Sequence, residues 1–196
     1  MNRLLSNLRS FAALLAIAAV VSGTARAADL SEPVILVASS LLDPTSFQQA
    51  VILATPLDDG SHIGFIINKP IGVKLQELLP DDRAAGKVKE SVYLGGPAFL
   101  PAVFALTRTP PASAGAAVRL LPDLFAVMDS DAIDGIIATT PNDARFFLGM
   151  MVWQPGALEE EVHQSVWELR PADAEVVLHA KSPGLWKSLR GPGPYI

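Results

Sequence analysis

Cysteine is absent from all 196 residues. A disulfide scaffold, a thiolate-ligated zinc site and a cysteine nucleophile are therefore excluded, and so is a lipid anchor attached through an N-terminal cysteine. Basic charge is scarce: 15 Lys and Arg stand against 20 Asp and Glu, a net charge of −5. A surface built to neutralise phosphates needs the opposite balance, so nucleic acid is disfavoured as a partner. Histidine occurs three times, never as H-E-x-x-H. Walker A and G-x-G-x-x-G signatures are missing, as is the G-x-S-x-G nucleophile elbow. What the chain does have is apolar material, 50% of its residues. That suffices for a buried core and excludes a wholly disordered chain. The length fits a single domain.

The one long apolar run sits at the start. Met1–Ser10 carries Arg3 and Arg9 and no acid, Phe11–Val21 is unbroken FAALLAIAAVV, and Ala25-Arg26-Ala27 follows. Charged n-region, apolar h-region and A-x-A site, in that order, describe a secretory signal peptide spanning residues 1–27. As a helix, the eleven residues Phe11–Val21 reach only about 16 Å, short of the ~30 Å hydrocarbon core. A transmembrane anchor is thus the weaker reading. Cleavage after Ala27 removes Arg3, Arg9 and Arg26 and no acid, which takes the net charge from −5 to −8. The remaining chain, 28–196, is expected to be a soluble periplasmic or secreted domain, since no second run long enough to span a bilayer follows.

Local patterns predict strands at Val34–Ala38, Ala50–Ala54, Ile63–Ile67, Ser91–Leu94, Ala102–Thr107, Val118–Leu121, Leu124–Met128, Arg145–Trp153 and Val166–Leu169. The Asp59-Gly60 pair predicts that the second and third strands form an antiparallel hairpin. Gly64 within the third predicts a bulge or a close backbone approach. Arg145–Trp153, almost wholly apolar, reads as the central strand. Short helices are expected at Lys74–Leu79, at Asp131–Ala138 behind a Ser130 cap, from Pro155 to His163 or Gln164, and at Pro183–Leu189. Ala172–His179 fits helix or strand, and Asp81–Glu90 reads as a charged surface loop. Strands outnumber helices and their connections are short. The fold class is therefore α+β, a single compact domain with a mixed, mostly antiparallel sheet.

Asp43, Asn68 and Lys69 are polar residues directly following apolar strands, where a rigid element presents side chains to a ligand; they are equally where a strand must turn. Gly95-Gly96-Pro97 is too short to cradle a phosphate and reads as a turn. Glu159 lies one helical turn from His163. A carboxylate–histidine helix can bind metal in a bundle with a matching second helix, and no second helix of that kind is present. An exposed acidic face is the better reading, and no metal or cofactor is expected. Trp153 and Trp167 flank the same helix and suit packing against it.

Taken in order, these segments resemble the YqgE/AlgH family. The resemblance rests on Asp43-Pro44-x-x-Phe47, Gly64-Phe65-Ile66-Ile67-Asn68-Lys69-Pro70, Gly95-Gly96-Pro97, and Pro155-Gly156-x-Leu158-Glu159-x-Glu161 followed by Trp167, and it runs from about Val34 to Trp186. It implies a barrel-like sheet and no particular reaction, although the family carries the label of a transcriptional regulator. Two segments depart from the family pattern. A stretch commonly polar and often containing His is here Leu53-Ala54-Thr55-Pro56. A stretch commonly G-Y-A-G-W is here Gly149-Met150-Met151-Val152-Trp153, which implies a more apolar lining. A leader peptide is a further departure, because family members mostly begin at the first strand.

The expectation that follows is an exported, non-enzymatic module binding an unidentified small molecule or protein. Its groove would be lined by Asp43, Asn68, Lys69, Gly95, Gly96 and Glu159, with Trp153 as an apolar wall. A hydrolase using a carboxylate, a lysine or a weak metal site is the alternative. A DNA-binding regulator is disfavoured by export and acidity. N-terminal sequencing of the exported protein is expected to begin at Ala28, within one residue; full-length chain held in the inner membrane would contradict the leader reading.

Overall fold

The computed structural model describes residues 29–111 and 115–191. The leader and its cleavage site lie outside the described residues. In chain order the strands are β1 Val34–Ala38, β2 Val51–Pro56, β3 His62–Ile66, β4 Pro70–Lys74, β5 Ser91–Leu94, β6 Ala98–Thr107, β7 Ala117–Leu121, β8 Leu124–Val127, β9 Ala144–Trp153 and β10 Trp167–Pro171. The helices are α1 Leu75–Leu78, α2 Ser130–Thr139, α3 Ala157–His163, α4 Ala174–His179 and α5 Leu185–Leu189. The main path of the sheet is β10-β1-β2-β3-β9-β6-β8-β7, with β4 on β5 and β5 on β9. Every pairing is antiparallel except β5 with β9. The sheet curls into a half-barrel, and the α+β class holds.

The unbroken apolar runs of β1, β2 and β9 arise because both faces of the sheet are covered. Ile35, Val37, Phe65, Phe104 and Phe147 turn inward to one cluster, which Val177, Leu178 and Leu185 of α4 and α5 close. The alternate residues Leu36, Ala38, Ile52 and Trp153 face outward beneath Leu158 of α3. On the other half, Phe146, Ala105 and Val127 face outward beneath Ile133, Ile136 and Ile137 of α2. Strand periodicity of two thus distributes one apolar run between two cores.

Strand β9 serves both halves. One of its edges pairs with β6. Its other edge pairs with β5 through Phe147 and Leu148 and with β3 from Met151 to Trp153. At the handover Gly149 has φ +67°, and the backbones of Gly95 and Gly96 press against it. A Cβ on Gly96 would lie 2.3 Å from the Met150 carbonyl carbon, and one on Gly95 2.1 Å from the Gly149 oxygen. Only hydrogen fits there. The Gly95 N–H donates to Leu148 O, and its carbonyl accepts from Ile66 N–H, both at 2.9 Å. Gly95-Gly96 is therefore a buried crossing rather than a surface turn. Gly64 makes the close approach expected of it, to Leu53 O on β2 and to the Trp153 ring.

Several boundaries differ from the sequence reading. Strand β4 was not expected, since Asn68-Lys69-Pro70 reads as a strand end; it is an edge strand of alternating exposure, and Pro70 is tolerated there. Strand β6 begins at Ala98 rather than Ala102, with Phe99, Leu100 and Pro101 exposed. Asp129, not Ser130, caps α2, its carboxylate accepting from Ala132 N–H at 3.0 Å. Pro155 precedes α3, and Gly156 at φ 82° is its cap. Ala172–His179 resolves as helix, because the Asp173 carboxylate accepts from Glu175 N–H at the start of α4. The charged loop Asp81–Glu90 holds a 3-10 turn with Ala85 and Val88 buried.

Gly96→Ala is expected to destabilise the fold by about 1–3 kcal/mol through overpacking against backbone that cannot yield. Gly135→Ala, in open space on α2, is expected to stabilise by ~0.5–1 kcal/mol, as Ala does over Gly in a helix. Urea midpoints of the two variants check both signs.

Candidate functional site

Asn68 and Lys69 follow β3 and lie against the chain entering β2. The Asn68 amide bridges that entry: its oxygen accepts from Val51 N–H at 2.9 Å and its nitrogen donates to Gln49 O at 2.8 Å. Gln49 has φ 56°, the left-handed region that non-glycine residues rarely adopt. The side chain of Asn68 thus helps hold a backbone kink. Lys69 carries its ammonium to Ser46 O, 2.6 Å away, while its own carbonyl accepts from Leu94 N–H. Gln48, Gln49, Asn68 and Lys69 form one wall of a cavity of about 500 Å³; Ser182, Pro183, Gly184, Trp186 and Lys187 form the rest. Burial pushes the Lys69 pKa below its ordinary 10.5, because desolvation penalises the charged form.

A polar chain running from exposed Glu90 through buried Arg145 and Tyr93 to half-buried Ser182 holds the second wall. Arg145, at the start of β9, is 3% exposed. Its Nε and Nη2 donate to the two carboxylate oxygens of Glu90 at 3.1 and 2.9 Å. Nη1 and Nη2 also donate to Val177 O and Ala180 O at the end of α4, and the guanidinium lies 4.6 Å from the Tyr93 ring centroid. The Tyr93 hydroxyl donates to Glu90 at 2.7 Å, and the Ser182 hydroxyl donates to Tyr93 at 3.0 Å. Burial pushes the Tyr93 phenol up; the Ser182 hydrogen bond pulls it down, Glu90 raises it further and the Arg145 charge lowers it. The segment after α4 is pinned to the sheet at both Ala180 and Ser182. Beyond it, Trp186 of α5 donates to Ala38 O of β1 at 2.7 Å.

The expected groove is only partly assembled. Asn68 and Lys69 share the cavity. Asp43 is exposed at the end of a 3-10 turn, Ser40–Leu42, upstream of the Ser46 carbonyl that Lys69 reaches. Among the described residues Lys69 forms no ion pair with Asp43 or Glu159. Gly95 and Gly96 are buried in the β9 crossing and present no wall. Trp153 is buried under α3, and Glu159 is exposed on that helix. The carboxylate of α3 that packs against the strands is Glu161, two residues on: one oxygen accepts from Trp153 Nε1 at 3.1 Å and from Trp167 Nε1 at 2.6 Å. That clamp satisfies two indole donors and ties α3 to both flanking strands.

The sequence reading passed over Arg145, Glu90, Ser182 and Trp186. Arg145 did carry a signal, a lone charge heading an apolar run, and such a charge needs a partner when buried. Ser182 and Trp186 had none. His62 is buried with Nε2–H donating to Leu30 O, whereas His163 and His179 are exposed. Among the described residues no three His, Asp or Glu side chains gather as a metal-binding group. A second cavity, of about 520 Å³, is apolar and includes Met150 and Val152 of β9.

A family model described as DUF179, AlgH-like, matches residues 35–191. A UPF0301 protein of Myxococcus xanthus is 34% identical over 82% of this chain and 90% of its own. One from Chlorobaculum tepidum is 31% identical over 81% and 84%. The solution structure of the AlgH protein from Pseudomonas aeruginosa superposes with a TM-score of 0.67, at 26% identity, covering 80% of this chain and 84% of that one. A crystal structure from Corynebacterium diphtheriae has the same TM-score at 22% identity and shares the fold.

A lysine whose pKa is depressed by folding makes the folded state bind fewer protons than the unfolded chain between its folded pKa and 10.5. Stability therefore rises with pH across that window. Urea melts of wild type and Lys69→Met, compared as pH rises towards 10.5, are expected to show the wild type gaining on the variant. A difference that stays flat would contradict the desolvation.

Proposed function

The chain belongs to the AlgH-like family, and on that premise we propose that it is an exported, non-enzymatic binding module whose ligand occupies the cavity at Asn68 and Lys69. Export rests on the leader, residues 1–27, and places the domain in the periplasm or outside the cell. One observation carries the binding role: Lys69, half-buried at the wall of a 500 Å³ cavity, bonds a neutral carbonyl and meets no carboxylate among the lining residues. A desolvated charge held this way is left to be neutralised by whatever enters. The volume falls within the ordinary range for small-molecule sites, about 300–1,000 Å³.

The lining favours binding over catalysis. General acid–base chemistry asks for a proton acceptor of suitable pKa within reach of the substrate. Three amides, an indole, two ammoniums and a hydroxyl already committed to Tyr93 line this cavity. The hydrolase reading asks for a carboxylate, a lysine or a weak metal site; Lys69 lines this cavity, but no Asp or Glu stands beside it in the lining. Acidity and export weigh against the regulator reading.

Native mass spectrometry of the protein purified from the exported fraction is expected to show a bound small molecule. Lys69→Ala is expected to weaken its retention about tenfold or more, as loss of a charged hydrogen bond does, while shifting stability by less than about 1 kcal/mol. Equal retention by wild type and variant, or a wild type that carries and captures nothing, would overturn the proposal.

A further inference from the structure

The direction of the hydrogen bonds behind the cavity limits what its wall can offer. Arg145 contacts both oxygens of Glu90, so the carboxylate is ionised and only accepts. The Tyr93 hydroxyl must then spend its single proton on Glu90. The oxygen of Tyr93 is left as an acceptor, and the Ser182 hydroxyl spends its proton there. Ser182, a lining residue, consequently has no proton left for a ligand. Its oxygen offers lone pairs alone, which only a donor can use.

The charge at the cavity has one sign. Lys69 and Lys187 line it, and no Asp or Glu does, in a chain whose acids outnumber its bases by 20 to 15. Among the described residues Lys187 has no ion-pair or hydrogen-bond partner. The ammonium of Lys69 is held towards the wall by one bond to Ser46 O, which leaves two of its three protons.

We infer that the occupant is a small organic anion bearing a hydroxyl group: its carboxylate or phosphate meets Lys69 and Lys187, and its hydroxyl donates to Ser182. This deepens the binding role proposed above and depends on it. A hydroxy acid and a polyol phosphate share this chemistry. A neutral polyol lacks the charge, and a simple dicarboxylate or alkyl phosphate leaves the Ser182 lone pairs unused.

Backbone amide shifts of Gln48, Gln49, Lys69 and Gly184 report occupancy in two matched titrations of the exported domain. One compares malate with succinate; the other compares glycerol 1-phosphate with propyl phosphate. Erythritol serves as the neutral control. In at least one pair the hydroxylated anion is expected to bind about threefold to tenfold more tightly than its partner, the scale of one hydrogen bond. The responding pair identifies the acid group as carboxylate or phosphate. Lys187→Ala, on the exposed face of a short helix, is expected to weaken both members of that pair alike. Ser182→Ala, which removes the accepting oxygen, is expected to erase the hydroxyl preference while anion binding persists. Tyr93→Phe, which frees the proton of Ser182 and leaves its lone pairs in place, is expected to keep the hydroxylated anion bound and to narrow its advantage.

Equal binding within both pairs would overturn the hydroxyl assignment. Binding of erythritol at the strength of the anions would overturn the charge assignment and leave the binding module standing. The same holds if none of the anions moves these amides while a co-purified molecule of other chemistry does. If nothing binds and nothing co-purifies, the inference and the binding role both fall.

Discussion

The architecture turns on a backbone contact with no room for a side chain. Strand β9 is ten residues long, and one of its edges has to serve β5 first and β3 afterwards. Two strands can share an edge only if the ladder breaks and reorients between them. Gly149 makes the break with a positive φ, and Gly95 and Gly96 lie against it closer than any Cβ allows. The hydrogen bonds from Gly95 to Leu148 and from Ile66 to Gly95 carry the ladder across the join. The two halves of the sheet, with the outward cores beneath α2 and α3 on either side, are one body because of this crossing. It also fixes where β3 ends, and hence where Asn68 and Lys69 emerge.

On the inner face, a second constraint locates the other side of the candidate site. A buried guanidinium is costly unless its donors are satisfied. Arg145 satisfies its donors with Glu90 from the loop before β5 and with two carbonyls at the end of α4. The segment carrying Ser182 is thereby tied to the sheet. The same ion pair that holds this segment also sets the proton order in Glu90, Tyr93 and Ser182. The inferred ligand preference would thus depend on one charge that lies outside the cavity lining.

The polar cavity and the apolar one, of about 500 and 520 Å³, differ in their lining. Lys69 and Lys187 stand at the first. Met150, Val152 and the exposed Phe99 line the second. Asn68 and Lys69 are part of the motif through which the resemblance was read. The motif thus contributes Asn68 and Lys69 to the polar site, and Gly149–Trp153 contributes Met150 and Val152 to the apolar one.

Local sequence determined most of the elements, though not β4 or the choice of helix for α4. VILVA and, after Arg145, FFLGMMVW have no polar position to expose, so they read as strands covered on both faces, and Asp59-Gly60 between two apolar runs reads as a hairpin. The family motifs carried the fold because order and spacing survive where identity does not. Tertiary structure decided everything that depends on which distant residues meet. Glu90 read as part of a solvated loop, and its role exists only because β9 brings Arg145 to it. Gly95-Gly96 read as a turn, since nothing in the two residues announces Gly149 more than fifty positions away. Glu159 and Glu161 are alike by composition; helix phase and the two indoles between which Glu161 falls separate them. Ser182 carries no local signal at all. Its chemistry is assigned by a relay of protons through Tyr93 and Glu90, and a relay is a property of neighbours in space, to which a linear pattern with periods of two or 3.6 residues is blind.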